Sequence, residues 1–121
     1  MDINALVDQI KRRPDYHKVG MILCHNGVVR GTSRDGRKVN GLRVAVDQAQ
    51  LEQVVRKYKE RPGIIDIAVQ INADCDLEVG DDVMLLAVAG DIRENVTAVL
   101  SEALNAIKST VTTKTEFFHG T

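Results

Sequence analysis

The chain has 121 residues with a net charge of −1, and 44% of them are hydrophobic and 27% charged. This length and composition predict one globular domain, and no apolar run approaches the ~18 residues that a membrane span requires. With two tyrosines, two phenylalanines and no tryptophan, few side chains can stack on single-stranded nucleic acid. We therefore predict no nucleic-acid and no membrane partner. The amphipathic start, Met1 to Arg13, lacks a signal-peptide pattern, which predicts a cytoplasmic protein.

Cysteine and histidine residues show no metal-binding spacing. Cys24 and Cys75 lie in apolar segments without a CxxC motif, so we interpret them as buried, reduced thiols. The histidines are scattered, and the acidic residues between Asp74 and Asp82 lack the spacing of a calcium loop. A solvated acidic rim is the better interpretation. The sequence predicts no metal and no cofactor.

The first elements are a helix and a strand. Asp2 can cap a helix with one apolar face, and residues 1–18 form this N-terminal helix and a linker. Dense apolar and β-branched residues from Val19 to Val29 then predict a buried strand. Gly27 interrupts this run, which indicates a bulge or a close approach of another segment. Arg30 emerges where the strand ends.

The next segment, residues 31–38, is polar, basic and glycine-containing, which predicts a mobile loop before a strand at Val39 to Val46. Two interpretations remain open. The loop is either simply solvated, or it forms a lid over an anion. In the second case Arg34, Arg37 and Lys38 bind substrate, because guanidinium groups bind phosphate through paired hydrogen bonds.

Two strands and a helix follow. Asp47 begins a helix that Pro62 ends, and a strand is predicted from Ile64 to Ile71. After a turn at Gly80-Asp81, a continuous apolar run from Val83 to Ala89 predicts a central strand that is buried on both faces.

The last helix carries an apolar stripe between charged ends. Asp91 is positioned to cap it, with Glu94 completing a capping box, and Lys108 lies at its end. Lys114 follows in a final strand. The order helix, strand, strand, helix, strand, strand, helix, strand predicts an α+β fold with a mostly antiparallel sheet and helices packed on one face.

Between about Val19 and Glu116, several short features occur in an order that is typical of one protein family. They are Gly20, the sequence Gly27-Val28-Val29-Arg30 before a basic loop, the Leu77-x-x-Gly80-Asp81 turn, and Arg93 and Lys108 at the two ends of one helix. With these features the chain resembles the large, catalytic subunit of molybdopterin synthase. The resemblance implies an α/β hammerhead fold over residues 1–121 as a single domain.

The resemblance also implies a function in molybdenum cofactor biosynthesis. Enzymes of this family transfer sulfur to cyclic pyranopterin monophosphate and so form molybdopterin. The sulfur arrives on the C-terminal Gly-Gly thiocarboxylate of a ubiquitin-like small subunit. A homodimer of large subunits within a heterotetramer is the implied assembly, and the expected enzyme is a sulfurtransferase.

The implied site residues are cationic. Lys108 and Lys114 are identified as catalytic, and Arg30 and Arg93 as substrate-binding residues, together with the loop residues Arg34, Arg37 and Lys38. Fifteen helical residues at about 1.5 Å each would separate Arg93 from Lys108 by roughly 22 Å. A shared site would therefore need Arg93 from a second copy of the chain.

Two alternatives remain. Ile92 stands where the family has a histidine, and His25 where a phenylalanine is usual. Loss of the histidine favours a non-catalytic paralogue that binds the small subunit or a pterin phosphate as a regulator or scaffold. A third class is an unrelated interaction domain, in which the basic side chains would be dispersed over the surface.

Overall fold

The computed structural model describes residues 1–119 and contains three α-helices and six strands in that part of the chain. Their bounds are α1 Ile3–Lys11, β1 Met21–Val28, β2 Val39–Val46, α2 Gln48–Lys59, β3 Ile64–Ile71, β4 Leu77–Glu78, β5 Asp82–Gly90, α3 Arg93–Thr110 and β6 Thr112–Phe118. A short 3-10 turn, Tyr16–Lys18, follows α1. The predicted order of elements is confirmed, with the two-residue β4 as an addition.

The strands form two antiparallel sheets of three strands each. One has the order β1-β5-β3 and the other the order β4-β2-β6. Strand β1 pairs with β5 up to a register shift between Gly27 and Val28, which is the bulge that Gly27 predicts. The α+β class with antiparallel strands is confirmed, but the strands divide into two sheets where the sequence suggested one.

Strand β5 carries the centre of the hydrophobic core. Its side chains alternate between two clusters: Met84, Leu86 and Val88 pack with α2 and α3, whereas Leu85, Ala87 and Ala89 pack with α1. A strand that is apolar at every position needs cover on both faces, and burial of each leucine contributes about 1.5–3 kcal/mol. Helix α1 therefore lies opposite α2 and α3, which corrects the expectation of helices on one face.

Two of the three predicted helix caps are confirmed. The carboxylate of Asp2 accepts a hydrogen bond from the backbone N–H of Asn4 at 2.9 Å, and that of Asp47 accepts one from Gln50 at 3.1 Å. Such caps satisfy N–H groups that have no partner within the helix.

The predicted cap of α3 is wrong by one residue. The backbone N–H of Asp91 still donates to the carbonyl of Gly63 at 2.9 Å, so the chain leaves the strands only after this residue. Ile92 occupies the N-cap position and offers no side-chain hydrogen bond. The Asp91 carboxylate instead accepts from the N–H of Ile92 at 2.7 Å and from the Asn95 amide at 2.9 Å. These bonds hold the pKa of Asp91 below its ordinary value, the Asn95 bond most of all.

Both cysteines are exposed, so the prediction of buried thiols is wrong. Cys24 lies on β1, at the edge of its sheet, and Cys75 lies between β3 and β4. Neither position receives the double cover that β5 has. Among the helices in residues 1–119, none combines the length and the apolar character needed to cross a bilayer.

Candidate functional site

A cleft lies where the end of α3 meets the sheet of β2 and β6. It consists of two adjoining cavities of about 260 and 250 Å³, and Arg34, Lys108 and Lys114 line both. Apolar and small side chains complete the first cavity, namely Val44, Ile71, Val83, Met84 and Thr112. The second is completed by Val28, Arg30, Thr32, Ser33, Leu42 and Glu116. We call the whole the cationic cleft.

The corner between α3 and β6 positions the two lysines. Lys108 lies in the last turn of α3. Val111 ends the helix, and its N–H donates a hydrogen bond to the carbonyl of Ile107 at 3.0 Å. Val111 is 3% exposed, and its own carbonyl accepts from the N–H of Asp47 at 2.9 Å. The corner is therefore held from both sides. Along β6, alternate residues face the cleft because side chains of a strand alternate between its faces, and Lys114 is one of them.

Arg30 enters the cleft beside the turn between β4 and β5. The preceding residue, Val29, is buried, and its N–H donates to the carbonyl of Asp81 at 2.9 Å. Its carbonyl accepts from Gly80, also at 2.9 Å, and the positive φ of 95° at Gly80 makes this turn possible. The Arg30 guanidinium donates through Nε to the carbonyl of Thr32 at 2.8 Å.

The basic loop, residues 31–38, turns back on itself. Thr32 forms an isolated bridge with Lys38, and the N–H of Ser33 donates to the carbonyl of Arg37 at 2.9 Å. This turn directs Arg34 into the cationic cleft. Mobility of the loop and closure over a substrate stay predictions.

Three predicted site residues lie outside the cavities. Arg37 pairs with Asp35 at 3.0 Å, and its guanidinium lies 3.7 Å from the ring centroid of Phe118. Lys38 lines neither cavity, and its carbonyl accepts from the N–H of His119 at 3.0 Å. Arg93 begins α3 at the opposite end from Lys108, where its side chain is 79% exposed and 3.6 Å from the carboxylate of Glu94.

Within the described part of the chain, the cations of the cleft outnumber its one acidic residue, Glu116, and are not ion-paired. Arg30, Arg34, Lys108 and Lys114 have no ion-pair partner in residues 1–119, although six other basic residues there do. An unpaired positive cluster in a concave site attracts an anion, and the apolar wall suits a ligand with an apolar body. Within the same residues, no three His, Cys, Asp or Glu side chains are arranged to hold a metal. The arrangement can bind a phosphate or carboxylate and stabilise negative charge.

Sequence reasoning missed one polar side chain at this site. His25 lies on β1, and its Nε2 atom is buried without a hydrogen-bond partner in residues 1–119. Burial lowers the pKa of its imidazole, and the ammonium of Lys108 lowers it further. The available signal was a histidine at a position where the family usually has a phenylalanine, but strand periodicity does not show what the side chain faces.

Solved structures share this fold. The chain is similar to molybdopterin synthase from Staphylococcus aureus, at 23% identity and a TM-score of 0.73, over 86% of this chain and 78% of that one. It is also similar to molybdopterin cofactor biosynthesis protein E from Burkholderia multivorans, at 22% identity and a TM-score of 0.77, over 99% of this chain and 87% of that one. A chain in the complex of subunits 1 and 2 of molybdopterin-converting factor from Helicobacter pylori is similar at 18% identity and a TM-score of 0.73, over 100% of this chain and 82% of that one.

Fold and cleft together define an α+β protein with the fold of these molybdopterin synthase structures and a cationic site at the corner of α3 and β6. At these identities the structural likeness establishes the fold. Residues 1–110 match the MoaE protein family, and the chain belongs to that family. The family resemblance drawn from the sequence is thereby confirmed. Comparison with curated protein sequences finds no match.

Proposed function

We propose that this chain is the large, catalytic subunit of a molybdopterin synthase and acts in molybdenum cofactor biosynthesis. The convergence of four unpaired cations on one cleft carries the proposal. Family membership supports it, and so does the likeness to a Helicobacter pylori complex of two subunits, because a small-subunit partner fits that arrangement. An unrelated interaction domain would show basic side chains dispersed over the surface, whereas here four of them line one cleft.

The proposed substrate is cyclic pyranopterin monophosphate. Its phosphate binds the guanidinium groups of Arg30 and Arg34, which can each donate two hydrogen bonds to one anion. Hydrogen bonds to a charged group contribute about 1.5–3 kcal/mol each. The apolar wall that contains Val44, Ile71 and Val83 contacts the pterin body. Polar and apolar halves of the cleft thus match the two halves of the ligand.

The lysines carry the chemistry. The C-terminal Gly-Gly thiocarboxylate of the ubiquitin-like small subunit is itself an anion, so Lys108 and Lys114 attract it into the same cleft. Its sulfur attacks a carbon of the pterin side chain and displaces an oxygen substituent of that carbon. Water then cleaves the acyl–sulfur bond, which leaves the sulfur on the pterin and a carboxylate on the small subunit. Two ammonium groups beside the reacting atoms stabilise the negative charge of this step.

A second protomer completes the site. Helix α3 is continuous from Arg93 to Thr110, so Arg93 and Lys108 are separated by roughly 22 Å along its axis. One protomer cannot bring both residues to one small substrate. We propose a two-fold homodimer within a heterotetramer, in which Arg93 of one copy reaches the cleft of the other. Its cytoplasmic location stays a prediction.

One observation favours a second candidate function. Ile92, which stands at the position of the family histidine, is 53% exposed and offers no proton donor. A non-catalytic paralogue would bind the small subunit or a pterin phosphate through the same cationic cleft, as a regulator or scaffold. The two candidates share binding and differ in turnover.

Reconstitution distinguishes them. The chain is mixed with thiocarboxylated small subunit and the precursor pterin, and dithiolene formation is measured for the native protein, Lys108→Ala and the control Lys18→Ala. Lys18 is exposed and lies outside the cleft. An enzyme forms dithiolene, loses it in Lys108→Ala and keeps it in Lys18→Ala. Tight small-subunit binding without any dithiolene would establish the paralogue instead.

A further inference from the structure

The buried nitrogen of His25 needs a partner. Its Nε2 has no hydrogen-bond partner in residues 1–119, and a buried polar atom left in this way is destabilising. Polar groups of this kind recur at functional sites, where a ligand or a moving side chain completes them. The surroundings of the imidazole show which group can do so here.

His25 lines neither cavity, but strand pairing connects it to the wall of the cationic cleft. Its imidazole folds over Gly27, where an added Cβ would lie 3.2 Å from Nε2 and 3.7 Å from the carbonyl of Met84. A glycine at this position therefore leaves room for the ring. Gly27 pairs with Met84 across the sheet, and Met84 lines the same cavity as Lys108.

The charge that faces His25 comes from α3. The Lys108 ammonium lowers the imidazole pKa, after burial as the larger cause, and no other charged group in the described chain contributes. On β5, the neighbouring residues are the uncharged Met84 and Leu86. With its pKa below the ordinary value of 6.5, the ring is neutral at pH 7. A neutral imidazole has a lone pair on one nitrogen and can accept a hydrogen bond.

We propose that His25 is a positioning residue for Lys108: when substrate fills the cleft, Nε2 accepts a hydrogen bond from the lysine ammonium. This inference rests on the proposed function, because it assigns how that lysine is oriented for sulfur transfer. The imidazole proton then lies on Nδ1, and no covalent bond forms or breaks. An ammonium has three donors, so two remain for the substrate anions. Lys108 is exposed, and its flexible stem allows this movement.

The hydrogen bond makes the site sensitive to acid. Protonation of His25 removes the acceptor and places a second positive charge beside Lys108. Activity therefore falls as the pH drops through the lowered imidazole pKa, below 6.5. Glutamine at this position keeps an acceptor that does not titrate in this range, whereas phenylalanine keeps the ring volume without an acceptor.

The first experiment needs no turnover. NMR of the full chain follows the His25 pKa and the Lys108 ammonium resonance with inorganic phosphate as the anion, for the native protein, His25→Phe, His25→Gln, Lys108→Met and the control His17→Gln. Loss of the ammonium in Lys108→Met raises the pKa of His25. Loss of the acceptor in His25→Phe shifts the ammonium resonance of Lys108, and His25→Gln restores it. The control His17→Gln, at an exposed residue of the turn after α1, changes neither the His25 pKa nor the Lys108 resonance. An unchanged Lys108 resonance in His25→Phe would overturn the proposal.

The second experiment measures dithiolene formation with the complete complex. His25→Phe lowers kcat about 10-fold or more with little change in KM, because a misplaced catalytic group loses rate more than binding. His25→Gln recovers most of kcat and abolishes the acid limb of the pH profile. If Gln and Phe are equally slow while urea unfolding shows both folded, the positioning role is refuted. An inactive native complex refutes the proposed function alone, since the NMR coupling of His25 and Lys108 is measured separately.

Discussion

The two ends of α3 both carry a basic residue, but in different surroundings. At the C-terminal end, Lys108 joins Lys114 and two arginines in a concave cluster with an apolar wall. At the N-terminal end, Arg93 is exposed beside Glu94, and the N-cap residue Ile92 offers no hydrogen bond. One end is a cleft built within a single chain, and the other is an exposed surface that we propose reaches the cleft of a second copy.

This difference separates residues that the fold of one chain brings together from Arg93, which the fold of one chain leaves apart from them. The cleft cations converge because two sheets and one helix meet at a buried corner. Arg93 has no such corner and lies about 22 Å away along the helix. Four experiments test this contrast, and the first has the largest expected effect.

Mixed dimers test whether Arg93 serves the neighbouring cleft. Lys108→Ala and Arg93→Ala are each expected to be inactive alone, because every site then lacks one residue. In a mixed dimer one of the two sites carries both native residues, and about half of randomly assembled dimers are mixed. Co-refolding the variants therefore restores about one quarter of the native rate of dithiolene formation. Mixed dimers that stay inactive would show that both residues act in the same protomer, and full activity of Arg93→Ala alone would show that Arg93 has no role.

Removal of single charges sharpens the description of the cleft. Lys114→Gln and Arg34→Gln should each weaken binding of inorganic pyrophosphate about 5- to 10-fold at low salt, since each removes one charge-assisted bond. Isothermal titration calorimetry measures the affinity. The control is Arg56→Gln, an exposed residue of α2 outside the cleft. Equal losses in all three variants would indicate binding to net charge alone.

A new cap at Ile92 tests whether the other end is merely incomplete as a helix terminus. Ile92→Ser supplies a hydroxyl that can accept from the free N–H groups of the first turn, and should raise the free energy of unfolding by about 1 kcal/mol. Urea denaturation measures the change. Pyrophosphate affinity at the cleft should stay native. Lower stability in the variant would show that the exposed isoleucine contributes packing that the described contacts do not include.

The smallest expected effect is acid-dependent. Because the folded pKa of Asp91 is lowered, its contribution to stability is complete above the unfolded value near 3.8 and is lost as the pH falls through the folded pKa. Asp91→Asn should therefore destabilise the protein at pH 7, and the difference should shrink below pH 3.8. Urea denaturation at both ends of this range measures it, with exposed Asp8→Asn as the control. A difference that is independent of pH would show that charge is not involved.

Much of the fold follows from local sequence patterns. The caps at Asp2 and Asp47, the bulge after Gly27 and the doubly buried β5 all depend on a few neighbouring residues. The division into two sheets depends on strand pairings far apart in sequence, such as β2 with β6, which periodicity does not specify. The shifted start of α3 depends on one backbone bond from Asp91 to Gly63.

The site was predictable by residue type more than by position. Family-like spacing identified Lys108, Lys114 and Arg30, which the cleft brings together. We predicted Arg37 as a site residue from its charge, but its guanidinium contacts the Phe118 ring and pairs with Asp35. We did not predict His25 as a site residue, because its environment depends on Lys108, which lies 83 positions away in the chain.

The corner at Val111 has a consequence for how this chain can change in length. Lys108 follows the 3.6-residue period of a helix and Lys114 the two-residue period of a strand, with Val111 between them. One residue inserted after Thr112 would turn Lys114 to the outer face of β6 while leaving Lys108 in place. Two inserted residues would restore its facing but displace it by about 7 Å along the strand. A single inserted residue in this connection would therefore remove Lys114 from the cleft, whereas a substitution of Thr112 or Thr113 would leave its facing unchanged.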